Sequence, residues 1–432
     1  MTRLGRIPRV LSYRDFRFLW FAQSSSVIGD NIVLVALALF VIQRTGSATD
    51  LGLVLAAQSL PLVLFLLVGG VWADRLPRHR VMMATDVVRF ALHATLAALI
   101  FSGTVRIWQV IVIEVLFGSA EAFFRPAANG LLPQTVPEEQ IQEATAVTTM
   151  SNNIAEFAGP ALATALVLGA GAGWAFAVDA GTFLLSAAFL AGVRPRRRQP
   201  ASGADVATRE GGLWDELRDG WREVRSRAWV WATLASFCVA LFCGLAPWFV
   251  LGPVVAREQY GHLGVYGLVE AGFGLGTIVG SLVGLGWRPR HPMRMAMLAI
   301  MLWPLSSILF AAGATLLIVI PVAVIGGVGL SLFDIWWLTA LAERIPPQKL
   351  SRVSSYDWMV SLALLPLGYI LAGPLAHELG AVEVLIGGSV LACIALGLGL
   401  LPRETRTLER LGDGEAVLPL EEALPGFVHR RP

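Results

Sequence analysis

The sequence predicts an all-α membrane protein: twelve transmembrane helices in two pseudo-symmetric six-helix bundles, with N- and C-termini both cytoplasmic. Three observations predict it. Hydrophobic residues make up 56% of the 432 positions and charged residues 15%, whereas soluble domains run near 25% charged. A soluble fold of this length would lack the polar side chains to cover itself. Twelve mostly apolar stretches, each of the roughly 20 residues a spanning helix needs, follow one another along the chain. With the N-terminus placed inside, 28 of the 33 Lys and Arg residues fall in inside segments and 3 in outside segments, the bias of cytoplasmic loops. The stretches are too long and too evenly apolar for barrel strands, so helix is what satisfies their backbone groups in lipid.

Residues 1–17 are polar, carry five arginines and lack a signal-peptide cleavage site, so the first apolar stretch reads as a retained helix. The first bundle, 1–193, has spans near 18–43, 51–73, 81–102, 107–130, 141–169 and 174–193. A linker, 194–227, opens with a basic run. It closes with an amphipathic stretch in which Leu213, Leu217, Trp221 and Val224 share one face, as in a helix lying on a membrane surface. The second bundle, 228–402, has spans near 228–255, 264–287, 294–313, 315–340, 354–376 and 381–401, and a polar tail, 403–432, follows. The halves echo each other. AGPALA around Gly159-Pro160 in the fifth span matches AGPLA around Gly373-Pro374 in the eleventh, and these Gly-Pro pairs are expected to act as hinges. Two such repeats around a central site is a transporter plan. Cys238, Cys243 and Cys393 lie in apolar stretches and the six histidines have no ligand spacing, so no disulfide, metal or cofactor is expected.

A charge at the membrane centre costs on the order of 2.5–3.5 kcal/mol, so each one should face a cavity or a partner. In the first span Gln23 and Asp30 share a face, with Asn31 alongside and no basic residue within a turn or two. Such a carboxylate can load and release a proton, or bind substrate, as access alternates. In the fourth span Glu114, Glu121 and Arg125 form one stripe, and Glu121 precedes Arg125 by four residues, the favourable order for an ion pair. Arg125 is expected to join Asp86 and Arg89 of the third span in a cluster that latches one conformation. In the fifth span Asn152 and Glu156 continue a polar stripe begun by Thr145 and Thr149, which should line the same cavity. Asp334 and Asp357 are expected to form a second ion-pair cluster with Arg344 and Arg352. Trp336, Trp337 and Trp358 read as interface anchors.

The connection between the second and third spans runs Gly70-Val-Trp-Ala-Asp74-Arg75-Leu-Pro-Arg78-His-Arg80. It resembles, in pattern and place, the cytoplasmic loop motif G-x-x-x-D-R-x-x-R-R/K of the major facilitator superfamily. Gly29-Asp30, Asp86-x-x-Arg89, Phe124-Arg-Pro126-Ala127, Gly159-Pro160-Ala161 and Asp179-Ala-Gly-Thr-Phe183 further resemble its drug:proton antiporter branch, which holds macrolide efflux proteins and the enterobactin exporter. The resemblance implies secondary active transport by alternating access, as proton-driven export of drugs or of a secondary metabolite or siderophore. It also implies a gate in which Asp74 and the loop arginines pair across the halves or with a fourth-span acid.

Other classes find little in the sequence. The lone lysine, Lys349, has no glycine-rich loop before it, so there is no P-loop. No G-x-S-x-G or H-E-x-x-H supports a membrane enzyme, and no added domain supports a sensor. Import or facilitated passage of a small nutrient stays open as the alternative. The expected partners are a lipophilic or amphipathic small molecule, protons, and the lipid of a bacterial cytoplasmic membrane; nucleic acid is not one, and the chain reads as a monomer. A proton moving down 100 mV releases about 2.3 kcal/mol and a tenfold gradient costs about 1.4 kcal/mol. One titrating carboxylate such as Asp30 therefore suffices to sustain a substantial gradient.

Overall fold

The computed structural model describes residues 9–195, 221–345 and 347–409; the side chains of 66–75, 138, 142, 285, 347–352 and 355 lie outside the description. Among the described residues the chain makes twelve long helical runs, besides short helical stretches such as 221–226 and Arg403–Thr407. The first half has α1 (Arg14–Thr45), α2 (Ala48–Arg75), α3 (Arg78–Phe101), α4 (Ile107–Leu131), α5 (Ile141–Gly169) and α6 (Ala172–Ala191). The second half has α7 (Ala228–Tyr260), α8 (Gly264–Gly286), α9 (Pro292–Ala311), α10 (Leu316–Arg344), α11 (Pro347–Ala363 continued by Leu365–Leu379) and α12 (Ala381–Leu398). Eleven runs among the described residues are long and apolar enough to cross a membrane. The exception is α5, 29 residues long, whose Thr145, Thr149, Asn152 and Glu156 dilute its apolar character. Of the amphipathic linker stretch, residues 221–226 are helical and Leu213 and Leu217 lie outside the described residues.

The ends of these helices sort onto two faces. On one, Arg194 N donates to Asp15 at 3.0 Å, Trp229 N to Glu404 at 3.4 Å, and Arg290 pairs with Glu409 at 3.0 Å. These contacts involve the first and last described segments, so we call it the terminal face. On the opposite face six turns each carry a glycine with positive φ, between 68° and 97°: Gly46, Gly103, Gly171, Gly261, Gly313 and Gly380. Left-handed backbone is where a helix stops cheaply, and glycine adopts it without a Cβ clash. One such turn follows each odd-numbered helix, so the same punctuation recurs three times in each half.

Within the first half α3 packs on α6, α2 on α4, and α1 on both α5 and α6; in the second, α10 lies against α8 and α9, and α12 against α7 and α9. Across the halves α5 meets α8 and α2 meets α11. The α2–α4 crossing is close because position 118 is glycine: a Cβ there would overlap the Gln58 carbonyl oxygen. Overpacking a tight crossing costs about 1–3 kcal/mol. Gly118→Ala is therefore expected to lower the temperature at which the detergent-solubilised protein aggregates; an unchanged temperature would mean the crossing relaxes freely.

Trp336 and Trp337 are not interface anchors. Both are 4% exposed; Trp336 donates to the Trp287 carbonyl at 3.3 Å and Trp337 to Asp357 at 3.0 Å. Trp358, at 57% exposure, is the one of the three that keeps an open face. Helix α10 buries both indoles because their N–H groups find acceptors inside.

Candidate functional site

Helix α3 carries Asp86, Arg89 and His93 at spacings of three and four, one face of a helix. Helix α6 answers with Asp179, Phe183 and Ser186 at four and three. The two faces meet. Arg89 donates to Asp86 at 2.5 Å, and Ser186 donates to the other Asp86 oxygen at 2.6 Å. His93 Nδ1 shares a hydrogen bond with Asp179. Asp86, His93, Glu114 and Asp179 have no exposed surface and Arg89 has 1%. The Arg89 guanidinium lies 4.2 Å from the Phe124 ring centre, 4.4 Å from Phe183 and 5.9 Å from Phe117, a cage in which cation–π attraction replaces water.

Asp30 reaches this cluster from α1. Its carboxylate is 3.9 Å from Arg89 and its side chain is 33% exposed. The neighbouring Gly29 makes the approach possible, since a Cβ there would overlap Asp179 and Thr182. Asp30, which the sequence leaves without a basic neighbour, thus has one, supplied by a different helix. It joins an open surface to a buried charge network. Asn31 donates to the Val27 carbonyl of its own helix at 2.9 Å and packs on Gly159. Gln23 keeps a buried amide oxygen without a hydrogen-bond partner.

Arg125 makes no direct contact with Asp86 or Arg89, but the Glu121–Arg125 pair lies within electrostatic reach of Arg89 and Asp30. Arg125 forks onto Glu121 at 2.8 and 2.6 Å with its side chain 45% exposed. Positions 117 and 124, both phenylalanine, occupy the face of α4 that touches Arg89. The second-half cluster is also different from expectation. Asp334 and Arg344 are ten residues apart on α10, about 15 Å along a helix, so they cannot pair. Arg344 instead donates to the Glu409 carbonyl, Asp357 accepts from Trp337, and the Arg352 side chain lies outside the described residues.

Asp334 has another neighbourhood. It is exposed on α10 and lies within electrostatic reach of Glu156 from α5 and Asp357 from α11. These acids come from both halves. One residue from Asn152, Asn153 donates to Ser281 of α8 at 3.1 Å, and Ser281 in turn bonds Ser331 of α10 at 2.9 Å. The polar stripe of α5 therefore faces the other half.

The Gly-Pro pairs are contact points in this structure. Helix α5 runs unbroken through Pro160, and Gly159 lies on Asn31; Gly373 lies on the Thr49 backbone, with Pro374 inside a continuous helix. The interruption of α11 falls at Leu364. Of the loop motif, Gly70, Asp74 and Arg75 occupy the last turns of α2 with side chains outside the description; Arg78 opens α3 and donates to the Gly130 carbonyl at 2.5 Å, and Arg80 is exposed. Arg78 thereby ties the α2–α3 connection to the end of α4.

Sequence reading passed over His93 and Ser186 as site residues. The signal was present: His93 continues the Asp86–Arg89 face by one turn, and Ser186 continues the Asp179–Phe183 face.

The family model described as Major Facilitator Superfamily matches residues 19–361. Macrolide efflux protein A of Streptococcus pyogenes is 24% identical over 387 residues, covering 88% of this chain and 94% of that protein. The multidrug efflux pump Tap of Mycolicibacterium fortuitum is 26% identical over 393 residues, covering 88% and 92%. Among solved structures, a point mutant of the nucleoside transporter NupG superposes with a TM-score of 0.72 at 11% identity, covering 89% of this chain and 99% of its own. A bacterial homologue of the human lysosomal transporter Spinster, inward-facing and unoccupied, gives 0.69 at 15% identity, covering 94% and 100%.

Proposed function

This chain belongs to the Major Facilitator Superfamily and is a multi-pass secondary transporter, and on that premise we propose that it exports an amphipathic cation from a bacterial cytoplasm in exchange for protons. The observation that carries this reading is Asp30. Its carboxylate is partly open on one side and 3.9 Å from a caged, buried arginine on the other. Protonating Asp30 leaves Arg89 to Asp86; ionising it makes Arg89 shared. Two states that differ by one proton, and by the pull between α1 and α3, are what a coupling element requires.

The cargo class follows from Glu156, Asp334 and Asp357. These acids line the boundary between the halves and have no ion pair among the described residues. A positive charge would relieve their mutual repulsion, and the apolar flanks of the helices suit a lipophilic body. The efflux proteins named above, similar along most of their length, support export over import. The arginines of the terminal face support placing it in the cytoplasm.

The test uses everted membrane vesicles and ethidium. Energised vesicles carrying the wild-type chain are expected to accumulate the dye, to lose it on adding a protonophore, and with Asp30→Asn to accumulate at least about tenfold less. Accumulation that ignores the protonophore, or full activity in the variant, would remove Asp30 from the coupling path.

A further inference from the structure

His93 lies inside the first half with no exposed surface. Asp179 holds its Nδ1, and its ring stacks on Phe117 at 4.2 Å between Phe176 and Phe183. Nε2 is 3.8 Å from a Glu114 oxygen, and neither Nε2 nor either Glu114 oxygen has a hydrogen-bond partner. Buried polar atoms are seldom left so. With Nδ1–H donated to Asp179, one proton placed in that gap would satisfy both sides. It sits either on Nε2 facing a Glu114 carboxylate or on Glu114 facing the Nε2 lone pair. A small rotation of either side chain closes the gap to a shared bond.

The surrounding charges favour a proton there. From α1 comes Asp30; from α3, Asp86 and Arg89; from α4, Glu114 and the Glu121–Arg125 pair; from α6, Asp179. Setting aside the self-paired Glu121 and Arg125, four carboxylates face one arginine and one histidine. Full ionisation would leave uncompensated negative charge in a site that opens to solvent only at Asp30, where the low-dielectric surroundings penalise it. Glu114 has the least to lose by going neutral, because no donor holds its oxygens.

We propose that His93 and Glu114 together hold one exchangeable proton and form the proton store of the first half, with Asp179 as the positioning residue and Asp30 as the port to the cavity. The proposal rests on the proton-coupled reading above. The route is short: Asp30 is partly exposed, Gly29 beside it lies on Asp179, Asp179 holds His93, and His93 faces Glu114. Loading adds one proton from cavity water to the pair, and release returns it; no other bond changes.

Infrared difference spectra of the full chain in lipid, stepped from acid to alkaline buffer, read the proton without any substrate. The wild type is expected to lose a protonated-carboxyl band together with a change in an imidazole ring band. Glu114→Gln, nearly isosteric and breaking no hydrogen bond, should remove one carboxyl component and leave that of Asp30; His93→Gln should remove that component and the ring band; His377→Gln, on the surface, should leave both. A carboxyl band undiminished in Glu114→Gln overturns the proposal. In proteoliposomes, Glu114→Gln is expected to cut gradient-driven ethidium accumulation at least about tenfold while exchange without a gradient stays within about threefold. Equal loss of both would make Glu114 structural and also overturn the proposal. Should the wild type accumulate no ethidium under a gradient, it is the export reading that falls, and the infrared result alone decides the pair.

Discussion

Arg89→Ala is expected to lose most of its folded protein. Arg89 is 1% exposed, bonded to Asp86 at 2.5 Å, near Asp30 and enclosed by three phenylalanine rings. Removing it strands the Asp86 carboxylate without its cation and opens a void among the rings. Breaking one side of a buried ion pair costs about 3–5 kcal/mol, a large share of the 5–15 kcal/mol typical of a native domain. Arg89→Lys restores the charge but not the planar group that stacks on the rings, so it should fall between alanine and wild type. Replacing both partners, as Arg89→Met with Asp86→Asn, should cost less than Arg89→Ala alone, because no bare charge is left inside. Size-exclusion recovery after graded heating ranks the four proteins. An alanine variant as heat-resistant as the wild type would mean that the network does not hold the first half together.

The second large effect concerns how the halves meet. On the side of the opposite face, Gly52 of α2 lies on the Tyr369 carbonyl and Gly373 of α11 on the Thr49 backbone; at mid-helix, Gly274 of α8 lies on the backbone of Glu156 and Phe157, 2.7 Å from where a Cβ would sit. These contacts are backbone to backbone, so no side chain can swing aside to admit a larger residue. Alternating access requires that such a seam open in the other state. Gly373→Val is therefore expected to disfavour the closed seam and to cut transport at least about tenfold, while the protein still folds within each half. Thr49→Cys should then react faster with a membrane-impermeant maleimide in the Gly373→Val background than alone. Unchanged labelling with intact transport would show that this seam is not a moving part.

What was legible in the sequence has a common property: it depends on one helix at a time. Span lengths, the sorting of arginines and the Glu121–Arg125 pair need only apolar run length, charge and four-residue spacing, and all three can be read along the chain. Depth along the helices puts Arg125 near Asp86 and Arg89, and its pair with Glu121 does reach Arg89 and Asp30 by charge, but Phe117 and Phe124 hold the face of α4 that touches Arg89. Asp334 shows the opposite limit: it lies too far along α10 from Arg344 to pair with it. Asp30 shows both limits at once. Its lack of a basic neighbour is true of α1 and untrue of the protein, because Arg89 comes from α3.

By itself, then, the sequence determined that this chain lives in a membrane and crosses it with about eleven or twelve helices, since hydrophobic length and charge act locally on each segment. Only the tertiary structure decided which charges meet. His93 and Asp179 are 86 residues apart and Asp86 and Ser186 are 100, and they join because α3 and α6 pack in one particular rotation. That rotation is set by many small contacts between whole helix faces, with phenylalanines beside the charges and Gly29 making room for Asp179. No single spacing encodes it.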